Sequence, residues 1–283
     1  MKILITGING QVGHALMQQL TNHELIGLTR QDCDLANLDQ IKNVIDQHQP
    51  ELIINPAAYT KVDQAEDEPE LAFQINRDAP KVMAEKAREY NIPLIHFSTD
   101  YVFDGEKKEA YVETDPTNPL GIYGQSKLAG EEAIQEVGGR IYIFRTSWVY
   151  SNIGHNFYLT MKRLSTERDE LKVVADQLGV PTSNQFIAEQ MKTIIPLLDE
   201  NNTGIYHLVP DGSCSWHEFT KTIISQANPD FNLEKLHAIQ THEFPTKTKR
   251  PKNSILNNAK IKQSFNLTLN NWQAELEKVI DEA

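Results

Sequence analysis

Cysteine is nearly absent from this sequence of 283 residues, which contains only Cys33 and Cys214. Two cysteines cannot form a disulfide framework, and these two lack the C-x-x-C spacing of redox and zinc sites. Neither is a good candidate for a catalytic nucleophile. Low cysteine content is typical of proteins from a reducing compartment, so we expect a cytoplasmic protein.

Long apolar segments and an excess of positive charge are also missing. No run of about 18 or more apolar residues occurs, and the N-terminus enters a short strand pattern without the profile of a signal peptide. The formal net charge is -12, which argues against nucleic acid or an anionic membrane as a partner. Any anionic small ligand must therefore be held by local groups.

Short apolar runs alternate with helical patterns over the first half of the chain. Strands are predicted at 2–6, 24–28, 51–55, 93–98 and 140–147. Such alternation predicts an α/β fold with a parallel sheet and crossover helices, and it includes a long helix near 70–90. After about Tyr150 the elements become shorter and prolines more frequent. We therefore expect one domain over residues 1–150 and a smaller one over 151–283, with segments near 183–208 as candidates for a return to the first.

The first predicted strand runs directly into three glycines with the spacing G-x-x-G-x-x-G. A turn of this kind lets the backbone approach a pyrophosphate at the positive N-terminus of a helix. The alternative is an ordinary turn with close helix packing, since the middle glycine is displaced from the G-x-G-x-x-G pattern. The position after an N-terminal strand favours a dinucleotide. The predicted cofactor-binding residues here are Gly7, Asn9, Gly10, Gln11, Val12 and Gly13.

The second strand ends at Leu28 and is followed by Thr29 and Arg30, where an acid that binds the ribose hydroxyls is usual. Arg30 is either a partner for the 2′-phosphate of NADPH or a solvated surface arginine. We therefore predict that NADPH is used at least as well as NADH. Asp34 and Leu35 suit the edge and face of an adenine, although Asp34 could equally be a turn or cap residue.

A Tyr-x-x-x-Lys pair at Tyr123 and Lys127 follows the predicted strand that ends near Thr99. A carbonyl that receives hydride becomes an alkoxide, and a tyrosine near pKa 10 is a slow acid at neutral pH. A lysine one helical turn away favours the phenolate, so we expect it to lower the pKa of Tyr123. Thr99 would donate a hydrogen bond to the carbonyl oxygen, unless it is only a turn residue at the end of the strand.

Spacing alone does not identify this pair, because Tyr158 and Lys162 repeat it. Only Tyr123 follows a strand-end hydroxyl, with Gly121 and Gly124 allowing close approach at the start of the helix. Tyr158 lies in an apolar pattern typical of core packing. The first pair is therefore the predicted catalytic one.

At these residues the chain resembles a known family, the dTDP-4-dehydrorhamnose reductases among the extended short-chain dehydrogenases. The resemblance extends over nearly the whole length. It rests on these segments: 7–13 (GINGQVG), 55–60 (NPAAYT) with Val62 and Asp63, 98–103 (STDYVF), 123–131 (YGQSKLAGE), 144–150 (FRTSWVY), 204–208 (GIYHL) and 250–254 (RPKNS).

The resemblance implies a Rossmann domain that binds NAD(P), a smaller C-terminal substrate-binding domain, and reduction of the C4 ketone of dTDP-4-dehydro-6-deoxy-L-mannose to dTDP-L-rhamnose. It implies that Thr99, Tyr123 and Lys127 are catalytic, and that Tyr123 and Lys127 also contact the cofactor. Further residues beside the cofactor would be Ala57, Ala58 and Tyr59, with Asn76 in the adjacent helix.

For the substrate, the resemblance places Val62, Asp63, Tyr101 and Trp148 around the deoxysugar, together with Thr99 and Tyr123. Asn156 and Arg250 would lie nearer the nucleotide diphosphate. Trp148 is otherwise an ordinary core aromatic. The residues 247–252 form the densest positive run in this acidic chain, and a guanidinium there could grip a pyrophosphate in a bidentate manner.

Three other functions are alternatives to this reductase. A nucleotide-sugar dehydratase would carry Thr-Asp-Glu where this chain has Thr99, Asp100 and Tyr101, so elimination of water is disfavoured. Another nucleotide-sugar reductase or an epimerase shares the Tyr/Lys pair. Some relatives are cofactor-binding regulatory subunits without turnover, which the intact catalytic set argues against.

Metal and assembly form the last expectation. Some of these reductases are described as dimers bridged by magnesium through carboxylates, one of them two residues beyond the third glycine. Ala15 occupies that position here, and a methyl group cannot replace an oxygen ligand. We therefore expect no metal and a monomer, with another dimer surface left open.

Overall fold

The computed structural model describes residues 1–282. Its strands are β1 (Lys2–Thr6), β2 (Glu24–Leu28), β3 (Leu52–Asn55), β4 (Leu94–Thr99), β5 (Ile141–Thr146), β6 (Val149–Tyr150), β7 (Leu171–Val174), β8 (Leu178–Gly179), β9 (Thr182–Ser183), β10 (Gly204–His207), β11 (Cys214–Ser215) and β12 (Leu236–Ile239). Its α-helices are α1 (Gln11–Gln19), α2 (Leu38–His48), α3 (Val62–Ala65), α4 (Pro69–Phe73), α5 (Ala79–Glu89), α6 (Ile122–Val137), α7 (Phe157–Glu167), α8 (Asn184–Ile194), α9 (Trp216–Ala227), α10 (Ala259–Phe265) and α11 (Trp272–Asp281).

Six strands form one sheet in the order β2-β1-β3-β4-β5-β10, and every neighbouring pair is parallel. The α/β fold with a parallel sheet is confirmed. The sixth strand, β10, comes from residues beyond 150, and α8 packs against α1 on one face of the sheet. Three shorter pairs, β6 with β9, β8 with β11 and β7 with β12, lie outside this sheet.

Side chains of β1 alternate between two cores because successive residues of a strand point to opposite faces. Ile3 and Ile5 pack with Leu16 and Phe186 of α1 and α8, whereas Leu4 packs on the other face against residues of α2, α5 and α6. Each fully buried aliphatic side chain contributes about 1.5–3 kcal/mol. Coverage of both faces is what makes the sheet doubly wound.

The helical run expected near 70–90 is one continuous stretch with a widened turn. Between α4 and α5, residues 74–78 form a π-helix. Pro80 has no N–H to donate to the carbonyl of Asn76 four residues earlier, which accounts for a wider turn at this point. Single π turns of this kind are frequently found at functional sites.

A further core lies among α7, α9 and α11. Tyr158, Phe219 and Trp272 belong to it, and the Tyr158 side chain is fully buried. The boundary near residue 150 stays a prediction. No helix in the described part of the chain is both long and apolar enough to cross a membrane.

Candidate active site

The carboxyl ends of the parallel strands meet at one edge of the sheet, where α/β proteins bind ligands. At this edge, β1 turns into α1 through the three glycines. Gly7 has a φ of +60°, and a Cβ on Gly13 would lie 2.4 Å from the carbonyl oxygen of Gly7. Gly10 is the N-cap of α1 and has no side chain to cap the helix. The first N–H groups of α1 are therefore available for a phosphate.

A cavity of about 420 Å³ opens beside this turn. Its walls include the predicted cofactor residues Gly7, Asp34, Leu35, Ala57, Ala58 and Tyr59. An adjoining depression is lined by Asn9, Thr29, Arg30, Gln31 and Asp34. The site therefore has room for an adenosine, and a polar end with a guanidinium beside it.

Arg30 and Asp34 also contact each other. The Arg30 guanidinium is 3.6 Å from the Asp34 carboxylate, and the Arg30 side chain is 77% exposed. Asp34 accepts a hydrogen bond from the backbone N–H of Ala36 at 3.1 Å. Asp34 therefore serves as a turn residue while it also faces the cavity.

The remaining residues predicted at the turn contact the C-terminal half. Gln11 Oε1 accepts hydrogen bonds from the Ser151 hydroxyl at 2.7 Å and from the Asn156 amide at 3.0 Å. Val12 packs against the core between the sheet and α8. Asn156 is the N-cap of α7 and is buried, so the structure places it beside α1, with its amide used within the protein.

Thr99 ends β4, and Tyr123 lies in the first turn of α6. A Cβ on Gly124 would lie 2.3 Å from the carbonyl oxygen of Tyr101, so this glycine allows α6 to start close to the end of β4. Glu66 accepts a hydrogen bond from the backbone N–H of Ile122 at 2.8 Å, which fixes the start of the helix.

Burial raises the pKa of Tyr123 to about 12. A hydrogen bond with Thr99 opposes this shift, and the Asp100 carboxylate adds to it. The expectation that Lys127 lowers this pKa is wrong. The physical reason is that burial outweighs it, while the Lys127 ammonium is directed at other groups.

Lys127 is only 2% exposed. Its Nζ donates a hydrogen bond to the carbonyl oxygen of Phe97 at 2.7 Å and lies 3.2 Å from Nε2 of His96. Burial lowers the pKa of Lys127 to about 8, and the Glu131 carboxylate partly offsets the shift. A lysine with this pKa is mostly charged at neutral pH.

Asn76 lies in the π turn and joins the cofactor loop to α6. Its amide oxygen accepts from the backbone N–H of Tyr59 at 2.8 Å. Its amide nitrogen donates to the Tyr59 carbonyl at 3.1 Å and to the Ser126 hydroxyl at 3.0 Å. Ser126 lies one turn beyond Tyr123, so Asn76 couples the position of the loop that contains Tyr59 to that of α6.

Three of the predicted substrate residues lie together. Arg250 donates to the Asp63 carboxylate at 2.9 Å, and its guanidinium carbon is 5.9 Å from the centre of the Tyr101 ring. Nη1 of Arg250 is buried without a partner among residues 1–282. Val62 adjoins Asp63 in α3, and its carbonyl accepts a hydrogen bond from the Thr248 hydroxyl at 3.3 Å.

Trp148 lies in a second group. Its ring is stacked on Trp216, with 3.4 Å between the ring centres and 8° between the planes. Its φ of +47° is in the left-handed region, which is strained for a bulky residue and often marks functional sites. The stack leaves the Trp148 ring half-buried, neither a free surface residue nor a core one.

Sequence reasoning missed several residues of this site. Thr29 and Gln31 line the depression beside Arg30, and His96 contacts Lys127. Trp216 supports Trp148. The position of Thr29 and Gln31 beside Arg30 was a usable signal, but no spacing in the sequence relates His96 to Lys127 or Trp216 to Trp148.

The family model described as "RmlD substrate binding domain" matches residues 1–283. The dTDP-4-dehydrorhamnose reductase of Sinorhizobium fredii is 41% identical over 99% of this chain and 97% of that protein. The enzyme of the same name from Escherichia coli K12 is 40% identical over 100% and 98%. This chain belongs to that family.

A solved structure agrees over the whole length. The dTDP-4-dehydrorhamnose reductase of Bacillus anthracis, determined in complex with NADP, has a TM-score of 0.93 and 38% identity to this chain, covering 100% of it and 99% of the solved chain. The Rossmann-type fold is thereby confirmed. In the described residues no group of three or more histidine, cysteine or acidic side chains is arranged to hold a metal ion.

Proposed function

We propose that this protein reduces the C4 ketone of dTDP-4-dehydrorhamnose to give dTDP-L-rhamnose, with NADPH as the hydride donor. The observation that carries the proposal is full-length identity of about 40% to enzymes of that name, combined with a hydroxyl, a tyrosine and a lysine at the end of β4 and on α6. Rhamnose is a component of cell-surface polysaccharides, for which the product would be a precursor.

The glycine turn, the cavity and the depression fit a dinucleotide. The N–H groups of α1 would hold the pyrophosphate. The adenosine would lie against Asp34, Leu35 and the loop of Ala57, Ala58 and Tyr59. Arg30 would bind a 2′-phosphate. Bound NADPH supplies the hydride. NADH is accepted as well, because the remaining contacts do not depend on the 2′-phosphate.

Tyr123 supplies the proton to the developing alkoxide. Its raised pKa keeps the phenol protonated near neutral pH, which is the state that a proton donor needs. Thr99 donates a hydrogen bond to the same oxygen as charge develops there. Lys127, charged at neutral pH, donates to a ribose hydroxyl of the cofactor and so holds the cofactor beside Tyr123.

Asp63, Tyr101 and Arg250 would border the substrate, with Val62 and Trp148 against the deoxysugar. Arg250 supports this role because it has one terminal nitrogen still unpartnered in the described chain. A buried guanidinium nitrogen without an acceptor is costly, so an anionic ligand would stabilise it. Asn156 is proposed to act on the nucleotide diphosphate only through its neighbours, since its amide hydrogens are used by Gln11, Ser151 and Ile153.

The test is incubation of the protein with dTDP-4-dehydrorhamnose and NADPH, followed by absorbance of the reduced nicotinamide and identification of the sugar product. We expect one cofactor oxidised per dTDP-L-rhamnose formed. Conversion of the sugar without net oxidation of cofactor would indicate an epimerase, and cofactor binding without turnover a regulatory subunit. Either result would overturn the proposal.

We also propose a cytoplasmic monomer without a metal bridge. Ala15, at the position of the bridging carboxylate, lies on the buried face of α1 and is 1% exposed, and Cys33 and Cys214 are unpaired. Exhaustive treatment with EDTA should leave activity unchanged. Loss of activity that magnesium restores, with a magnesium-dependent change of mass in light scattering, would contradict this.

A further inference from the structure

His96 lies in a buried chain of polar side chains beneath Lys127. Nε2 of His96 is 3.2 Å from the Lys127 ammonium, and Nδ1 is 3.1 Å from the Asn55 amide nitrogen. The Thr6 hydroxyl donates to the Asn55 amide oxygen at 2.6 Å. Each of these four residues is at most 2% exposed. The chain therefore joins β1, β3, β4 and α6 with every polar group in contact with the next.

The contacts of Lys127 account for two of its three N–H donors. One is donated to the carbonyl oxygen of Phe97 at 2.7 Å, and a second points at Nε2 of His96. Because two of the three N–H donors are held in place, the direction of the third N–H is fixed. This third N–H is the one that the proposed mechanism directs at a ribose hydroxyl of the cofactor.

A neutral imidazole can accept at only one of its two nitrogens. Burial and the nearby Lys127 charge hold the pKa of His96 well below its usual value, so the ring is neutral. While Lys127 is an ammonium, Nε2 has to accept and Nδ1 has to carry the hydrogen. Asn55 must then turn its amide oxygen towards Nδ1 and its nitrogen towards Thr6, whose hydroxyl can accept.

The opposite direction of hydrogen bonds suits a neutral Lys127. With the Asn55 nitrogen facing the ring and Thr6 donating, Nδ1 accepts and Nε2 carries the hydrogen. An amine at Lys127 can accept that hydrogen, whereas an ammonium cannot. The direction of the whole chain is thus coupled to the charge of Lys127.

Other charged groups around Lys127 are balanced or more distant partners. Glu131, one turn later on α6, is paired with Arg145 of β5 at 2.6 Å. Asp100 follows β4 and accepts a hydrogen bond from the Thr99 hydroxyl at 3.1 Å, and its charge raises the pKa values of Tyr101 and Tyr123. His96 is therefore the one titratable side chain in the described residues that the structure records in hydrogen-bond contact with the Lys127 ammonium.

We propose that His96 is a positioning residue for the reduction: its Nε2 accepts from the Lys127 ammonium and orients it, while the Asn55 amide, turned with its oxygen towards the ring, accepts the hydrogen of Nδ1. This inference rests on the proposed function, because it takes Lys127 as catalytic. It gives a role to a histidine that would otherwise be only a satisfied core side chain.

Two variants separate these roles. His96→Gln keeps a polar group near Nε2 and loses the one near Nδ1, whereas His96→Asn does the reverse. We expect His96→Asn to lower kcat by about tenfold, the size of a lost hydrogen bond to a charged group. It should also move the alkaline limb of kcat/KM for NADPH to lower pH by about one unit. His96→Gln should keep the wild-type limb.

The proposal would be overturned if the alkaline limb of kcat/KM for NADPH were unchanged in both variants while both lost a similar amount of melting temperature. His96 would then be only structural. A second measurement, nitrogen NMR of the wild-type protein, depends neither on the folding of a variant nor on activity. Nitrogen NMR of the wild-type histidines at neutral pH should show hydrogen on Nδ1 for His207, whose Nδ1 lies 3.2 Å from the carbonyl oxygen of Asn257, and also for His96. Only the His96 signal should shift as Lys127 titrates.

Hydrogen on Nε2 of His96 at neutral pH would place two donors face to face and overturn the proposal, even in a fully active enzyme. Conversely, a protein that fails to reduce the sugar nucleotide refutes the proposed function, while the tautomer result stands. The two failures are therefore distinguishable.

Discussion

Two Tyr-x-x-x-Lys pairs occur in this chain, and their surroundings are opposite. Tyr123 is half-buried at the end of β4, and its Lys127 is buried with its ammonium bonded to the Phe97 carbonyl. Tyr158 is fully buried in the core of α7 and α9. Lys162, its partner in the pair, is half-exposed, and its ammonium lies 6.0 Å from the centre of the Tyr158 ring. One spacing thus gives a half-buried tyrosine with an anchored cation in one place and a fully packed ring in the other.

The difference arises from what faces each helix. α6 starts against the end of β4, where Thr99 is in hydrogen-bond contact with the tyrosine hydroxyl and the Asp100 charge raises its pKa. α7 starts at Asn156 and presents Tyr158 to Tyr150, with 5.9 Å between the ring centres. A helix supplies only the spacing of a catalytic pair, and the strand end in front of it supplies the chemistry.

We expect the largest effect when the tyrosine hydroxyl is removed from each pair in turn. Tyr123→Phe removes the proton donor and keeps the ring, so kcat should fall by about a hundredfold or more, with NADPH binding preserved in a fluorescence titration. Tyr158→Phe is the matched control. Its hydroxyl is buried without a partner in the described residues, so activity should be unchanged and the melting temperature equal or higher.

Near-normal turnover by Tyr123→Phe at saturating substrate would show that another group donates the proton. A large loss in Tyr158→Phe, at unchanged stability, would transfer the assignment to the second pair.

The pH dependence should separate the two lysines. The pKa of Lys127 is about 8, so its charge is lost as pH rises through that value, whereas Tyr123 with a pKa of about 12 stays protonated. We therefore expect kcat/KM for NADPH, which reports groups of the free enzyme, to fall about tenfold per pH unit above about 8.

Lys127→Arg keeps its charge at every accessible pH, so its residual activity should lack this limb, and Lys162→Arg should retain it. If Lys127→Arg keeps the wild-type limb in a steady-state profile, the titrating group is not Lys127.

The sequence allowed the fold and much of the site to be predicted wherever backbone geometry imposes a pattern. Short apolar runs predicted the bounds of the five strands from β1 to β5 to within one residue, because strand and helix periods differ. The glycine turn was visible since Gly7 and Gly13 are required by a positive φ and a close contact.

Contacts between side chains from distant segments could not be predicted in this way. The bond from His96 to Lys127, the pairing of Arg250 with Asp63 and the stack of Trp216 on Trp148 follow no local spacing. The pKa of Tyr123 was mispredicted for the same reason, because burial depends on the whole fold. The π turn had only Pro80 as a signal.

The smallest expected effect is on cofactor binding, and it follows from the difference between two cations at the ends of the proposed cofactor site. Lys127 is buried at one end, whereas the Arg30 side chain is 77% exposed at the other. An exposed ion pair is worth up to about 1 kcal/mol and is weakened by salt. Arg30→Ala should therefore weaken NADPH binding by about fivefold at low salt, less at high salt, and leave NADH binding unchanged.

Arg163→Ala is the matched control, because Arg163 is also exposed and is paired with an acid four residues later, Glu167, at the C-terminal end of α7. It should affect neither cofactor. Titrations of both variants with NADPH and NADH at two salt concentrations decide the question. Equal weakening of the two cofactors by Arg30→Ala would mean that Arg30 only orders the turn through Asp34, and that the preference for the 2′-phosphate has to come from Thr29, Gln31 or Asn9 in the same depression.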